Sequence, residues 1–248
     1  MWIRLSVRLV VPTLALAAVA ACGSSEPEEP ALPPAPSGDS TVSGVVRLEG
    51  ATPELRVINM SSDPICMVEG PVPSEVVLVG PDGGLANVFL YVREGFGDQI
   101  FAAPQTEVLL DQEGCRYRPH VVGVQVGQPL RVRNSDPGLH NVHALPSVNQ
   151  EFNFAQPLQG LENVRTFTQP EIAVPFRCEV HGWMSAFVGV VPHPFFAVSA
   201  PDGSFEIAGL PEGTYTVEAW HERFGTQTGT VTVDGTSGAT LDFTFTPE

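Results

Sequence analysis

The chain has 248 residues, with 24 Gly, 24 Pro and only 16% charged residues. That mixture favours short strands joined by many turns and excludes long helices and coiled coils. It carries 28 acidic residues against 12 basic ones, every one an arginine, for a net charge of −16; such a chain repels phosphates, which excludes nucleic acid as a partner.

Residues 1–21 place Arg4 and Arg8 ahead of an apolar, Ala-rich run from Leu9 to Ala21. This is the layout of a secretory signal, and the run is too short for a membrane span. It ends Val19-Ala20-Ala21-Cys22, which resembles the bacterial lipobox, with cleavage before a lipid-modified Cys22; the plainer reading is a signal peptide with a cysteine nearby. The following stretch to Ser40 is rich in Pro, Glu and Ser and predicts a disordered tether over 22–40. The expectation is an exported protein, lipid-anchored to a membrane on the periplasmic side or at the cell surface. Gly23 after the cysteine favours the outer membrane in a Gram-negative host. Loss of the signal leaves 10 Arg against 28 acids, a net of −18.

From Thr41 onward the chain shows short apolar or alternating runs bounded by turn residues. They predict strands at Val42–Leu48, Glu75–Val79, Ala86–Val92, Val121–Val126, Leu130–Asn134, Ile172–Phe176 and Ala186–Val191. Turns such as Pro81-Asp82-Gly83-Gly84 and Asp136-Pro137-Gly138 separate them. No window keeps a helical period, so the fold class is all-β, with antiparallel sandwiches as its architecture.

The chemistry concentrates between Asn134 and Met184. In Cys178-Glu179-Val180-His181-Gly182-Trp183-Met184 a thiol, an imidazole and a thioether fall at i, i+3 and i+6 of a short loop, and His140, Asn141 and His143 stand upstream. Two His and one Cys with a weak axial Met form the ligand set of a blue-copper electron-transfer site, because thiolate and thioether favour Cu(I) while imidazole suits both oxidation states. Taken singly, Cys178 reads as a disulfide partner, Met184 as core filler and the histidines as loop residues. His140 and His143 lie an odd number of strand positions apart and point to opposite faces, so His143 is only an alternative ligand. His120, His193 and His221 lack a metal spacing.

Residues from about 116 to 192 resemble the cupredoxins, in particular the plastocyanin and amicyanin type. The features that carry the resemblance are the Cys-x-x-His-x-x-Met spacing and the run Leu130-Arg131-Val132-Arg133-Asn134-Ser135-Asp136 leading to His140-Asn141. The resemblance implies a Greek-key sandwich and a single copper ion, with His140, Cys178 and His181 as equatorial ligands and Met184 as the axial one. It also implies that Asn141 fixes the cysteine loop and that His181 is the surface edge through which electrons leave. Trp183 is expected to pack over the site and limit water. With Cys22 given to the lipid and Cys178 to the metal, Cys66 and Cys115 remain, and in an exported chain they are expected to form a disulfide.

After Pro192 the pattern Asp202-Gly203, Phe205, Ile207, Leu210-Pro211, Gly213, Tyr215, Val217 resembles the carboxypeptidase regulatory-like domain, a small accessory β-module without catalysis. The expected domains are therefore 41–192 for copper, with its metal core at 116–192, and 193–248 for the module. Residues 41–92 are alternatively a separate β-module, and Val42-Ser43-Gly44-Val45-Val46 faintly resembles the first strand of the same regulatory-like module.

The functional expectation is a type 1 copper protein that shuttles electrons and is not an enzyme. Its partner would be a redox protein such as a cytochrome c or an oxidase subunit, with a basic surface. The alternatives are a copper carrier that captures and hands on the ion, and an adhesive surface lipoprotein. No Gly-x-Ser-x-Gly elbow, phosphate loop or dinucleotide fingerprint is present.

Overall fold

The computed structural model describes residues 38–67, 70 and 72–247. The expected signal, Cys22 and nearly all of the tether lie outside the described residues. Among those described, no helix is long and apolar enough to cross a membrane.

The protein is all-β. Its strands in chain order are β1 (Ser40–Leu48), β2 (Val57–Ile58), β3 (Val72–Pro73), β4 (Phe89–Glu94), β5 (Val108–Gln112), β6 (Tyr117–Arg118), β7 (Val121–Gln125), β8 (Leu130–Asn134), β9 (His140–Ala144), β10 (Phe152–Gln156), β11 (Glu162–Arg165), β12 (Glu171–Arg177), β13 (Ser185–Val191), β14 (Phe196–Val198), β15 (Ser204–Leu210), β16 (Gly213–His221), β17 (Gly225–Val233), β18 (Ala239–Thr240) and β19 (Phe243–Phe245). One 3-10 turn, Pro64–Met67, lies between β2 and β3.

Two sandwiches result. In the first, the sheet β10-β9-β12-β13-β7 faces the sheet β11-β8-β5-β6. The core between them holds Leu110, Tyr117, Leu130, Val132, Val142, Phe176 and Val188, joined by Met60, Cys66 and Val72 from the β2–β3 region. In the second, β15-β1-β18 with β19 on β1 faces β14-β4-β16-β17. Alternation builds this core: Tyr215, Val217, Ala219 and His221 of β16 point inward while their neighbours stay half exposed.

The division expected at 192/193 does not follow the sheets. β1 pairs with β15, β18 and β19, and β4 pairs with β14 and β16. The first strand and β4 thus belong with the C-terminal strands, and the first sandwich is inserted between them. Neither a 41–192 copper domain nor a free-standing 41–92 module describes this arrangement. Of this, the sequence carries only the faint likeness of Val42–Val46 to the module's first strand, because alternation marks a strand but not its partner.

Two strand expectations also shift. Glu75–Val79 is a series of bends with one isolated bridge, Val79 to Leu85. Here the chain crosses over, with Val72 in the first core and Val77 and Val79 packed on the second, so no neighbouring strand is there to pair. The strand expected from Ala86 starts at Phe89, because Asn87 adopts a left-handed φ of 60°.

A third set of contacts joins the sandwiches. Gly123 of β7 pairs with Gly189 of β13, and the rings of Phe89 and Phe196 lie on this bare patch. Phe187 meets Trp220 at 5.1 Å between centroids, and His120 bonds Glu222 through Nε2 and the Ser185 carbonyl through Nδ1 (3.1 Å).

Candidate metal centre

Strand β9 begins at His140 and β12 ends just before Cys178; the two pair with Arg177 opposite His143. The loop from Cys178 to Met184 is a tight turn, with the Met184 N–H donating to His181 O (2.9 Å) and the Cys178 N–H to Met184 O (3.3 Å). This brings the imidazoles and the thiol together. His140 Nδ1 lies 3.0 Å from His181 Nδ1, and Cys178 Sγ lies 3.9 Å from His181 Nδ1. These three ligand atoms fall within 4.8 Å of one another, and all three residues are buried. Met184 is also buried, in the same core cluster as Cys178.

The outer nitrogens decide what the centre can hold. His140 Nε2 donates to Asp136 Oδ2 at 2.8 Å, and His181 Nε2 donates to Asp63 Oδ2 at 3.0 Å. Each neutral ring then has its proton on Nε2, so two Nδ1 lone pairs face each other beside a thiol. Such an arrangement repels itself unless a cation sits among the three atoms, either a proton or a metal. Burial lowers the His140 pKa, but Asp136 and Cys178 outweigh it and raise it to about 9. Burial raises the Cys178 thiol, yet His140 and the N–H groups of Asn141, His181 and Val180 carry it below its ordinary value. A soft thiolate and two imidazoles preset as Nδ1 donors fit a copper or zinc ion, and loading it would displace the proton.

The surrounding groups are fixed in turn. Asp136 also accepts from the N–H groups of Gly114 and Cys115, both at 2.8 Å; these two residues adopt left-handed φ values of 62° and 53°, which turns both donors onto the carboxylate. Asn141 donates its backbone N–H to Cys178 Sγ (3.4 Å), and its side-chain oxygen accepts from Glu179 N (3.1 Å), which ties the cysteine loop to β9. Trp183 packs on His181 at 5.0 Å and donates Nε1–H to Cys115 O at 3.1 Å.

His143 lies elsewhere. It is held between Glu179 (2.6 Å) and Glu151 (2.7 Å) on the other face of β9, and the cluster of buried ligand atoms does not include it. Cys66 and Cys115 form a disulfide with a Cα–Cα distance of 5.4 Å, and among the described residues Cys178 is the free cysteine. Two members of the site were not assigned from sequence. Asp136 stood four residues before His140 inside the quoted motif, a spacing that could have found it. Asp63 is 118 residues from its imidazole, and no local pattern marks it.

His181 is not at the surface. It is 2% exposed, covered by Asp63 and by Cys66, whose Sγ lies 3.7 Å from Nε2. The edge expected to pass electrons is closed because the β2–β3 segment, pinned by the disulfide, lies across it.

Residues 188–246 match the model of the carboxypeptidase regulatory-like domain. The match takes in the end of β13 and β14 to β19, but not β1 or β4, which complete that sandwich. No curated protein matches the chain. Among solved structures, it is similar to a Cu(I) form of an amicyanin variant (22% identity, 41% of this chain and 97% of that one, TM-score 0.30). It is also similar to a purple cupredoxin from Nitrosopumilus maritimus (20% identity, 34% and 97%, TM-score 0.29). A third is the copper-containing nitrite reductase from Thermus scotoductus SA-01 (21% identity, 37% and 25%, TM-score 0.30), so the chain spans about a quarter of that enzyme's length.

Proposed function

We propose that the protein is a type 1 copper electron carrier, with His140, Cys178 and His181 as the main ligands and Met184 as the weak one. The observation that carries this reading is the pair of Nδ1 atoms facing each other at 3.0 Å beside Cys178, each ring anchored through Nε2 to a carboxylate. A thioether at the end of the same loop turns the choice from zinc toward copper, because Met is a soft ligand for Cu(I). A copper ion held by these residues would supply one-electron chemistry between Cu(II) and Cu(I). The chain's part is to hold the donors rigidly, so that little moves when the charge changes, and to keep water out with Trp183 and the disulfide segment.

Burial favours the shuttle over the carrier reading. The three donor residues are at most 2% exposed, and handing an ion to another protein needs an accessible ligand. Four protein ligands also leave no open position for a substrate, which argues against an enzyme. On this reading Cys22 carries the lipid, the protein works at the periplasmic side of a membrane or at the cell surface, and its partner is a redox protein such as a cytochrome c or an oxidase subunit. The net charge of −18 on the mature chain supports a basic partner surface.

The test is the spectrum of a form starting at Gly23. Loaded with Cu(II), it should turn intensely blue or green, with an EPR signal of a thiolate-bound copper. Cys178→Ser should abolish the colour; colour that survives the change would refute the ligand assignment.

A further inference from the structure

His181 sits under a cap formed by the segment between β2 and β3. The cap runs from Asn59 through the 3-10 turn to Met67. Met60, 2% exposed, roots one end in the core. The Cys66–Cys115 disulfide fixes the other. Between them the turn closes on itself: Asp63 N–H donates to Met60 O (3.1 Å) and Cys66 N–H to Asp63 O (3.1 Å). Ile65 leans on the loop that leads to His140, its Cδ1 only 2.0 Å from where a side chain on Gly138 would begin.

The carboxylate of Asp63 is held at both oxygens. Oδ1 accepts from the Ile65 N–H (3.2 Å) and Oδ2 from His181 Nε2 (3.0 Å). Cys66 Sγ closes the same ring edge at 3.7 Å. A carboxylate that bonds the outer nitrogen of a ligand histidine fixes the ring's orientation and makes its inner nitrogen a better donor.

We propose that Asp63 is a positioning residue, carried on a disulfide-pinned cap, which holds His181 with Nδ1 toward Cys178 and seals its outer edge from solvent and from partner proteins. This rests on the reading of His181 as a copper ligand. It adds that a redox partner meets the cap instead of the imidazole. The cap has two locks, the carboxylate and the disulfide, and opening either should uncover the ring.

The experiment uses the full chain freed of metal and measures carbethoxylation of His181 by diethyl pyrocarbonate, read by peptide mass spectrometry, with the urea-unfolded chain as the reference for an open ring. His181 should be protected in the native protein. It should become reactive in Asp63→Ala and in native protein whose disulfide has been reduced by a phosphine. Asp63→Asn should keep the protection, since its amide oxygen still accepts from Nε2. In copper-loaded samples Asp63→Ala should bind the ion about 10- to 100-fold more weakly, while Asp63→Asn should bind more tightly than Asp63→Ala. His181 reacting in the native protein as fast as in urea would overturn the cap. Continued protection in Asp63→Ala and after disulfide reduction alike would overturn the locks. Reduction needs no substitution, so a variant that fails to fold leaves the test intact. Protection is measured without metal, so a colourless copper-treated protein with a protected His181 would count against the copper reading and leave the cap standing.

Discussion

His221 ends the inward-facing row of β16, with its ring stacked on Phe224 at 4.8 Å. Its Nδ1 accepts from the Arg223 N–H (3.1 Å), so the proton rides on Nε2, an atom buried without a partner. Burial, helped by the nearby His120, pulls its pKa down to about 4. A depressed imidazole takes up its proton more readily in the unfolded chain, so its contribution is complete above about pH 6.5 and drains away as the pH falls toward 4. His120 works in the other sense. Burial lowers it, but Glu222 outweighs burial and raises it. Its contribution is complete below about pH 6.5 and is lost as the pH rises through its folded value. Denaturant midpoints measured between pH 7 and pH 4 should therefore fall less steeply in His221→Phe than in the native protein. Equal slopes would show that His221 does not drive the acid limb.

At the scale of the strand, the pairing of Gly123 with Gly189 makes a flat patch between β7 and β13. A Cβ on Gly189 would come within 2.3 Å of the Phe89 ring, and one on Gly123 within 2.4 Å of Phe196. Gly189→Val should therefore overpack the joint between the sandwiches and cost about 1–3 kcal/mol, a drop of about 2–4 °C in Tm per kcal/mol for a chain of this length. A melting curve unchanged from native would mean the joint is loose. The strands themselves were legible, since β7, β8, β12 and β13 announce themselves as apolar or alternating runs between turns. The need for glycine was not, because the rings that demand it come from β4 and β14, remote in sequence. The same contrast runs through the site. Cys178, His181 and Met184 were readable because a thiol, an imidazole and a thioether fall in seven residues. Asp63 was not, because its role exists only once the disulfide has brought the β2–β3 segment over the loop.

For the molecule as a whole, the interleaving of the two sandwiches sets what can be removed. A chain ending at Pro192 would keep every strand of the first sandwich and lose β14 to β19. Strands β1 and β4 would then have no partners, and Val42, Val46, Leu90 and Val92, all at most 1% exposed in the complete protein, would face water. Such a chain should bind a hydrophobic dye and self-associate, because unpaired strand edges recruit one another. A monomeric, dye-free product with a cooperative melt would show that β1 and β4 are dispensable. The resemblance read after Pro192 was legible from turn chemistry and alternation. The extent of the sandwich was legible only in part: Val42-Ser43-Gly44-Val45-Val46 faintly resembles the module's first strand, and β1 does pair with β15, β18 and β19, whereas nothing in the sequence marked β4 as its neighbour.

The interleaving also imposes an order in time. Val42 pairs with Ile207, 165 residues further along the chain, and Val46 pairs with Phe243. The strands of the first sandwich all lie between β5 and β13 and close over shorter separations, whereas the pairing of β1 is the longest-range strand pairing among the described residues and is intrinsically slow. Folding is therefore staged: the sandwich that carries the metal pocket can close on its own contacts, and the C-terminal strands arrive last to retire the exposed first strand.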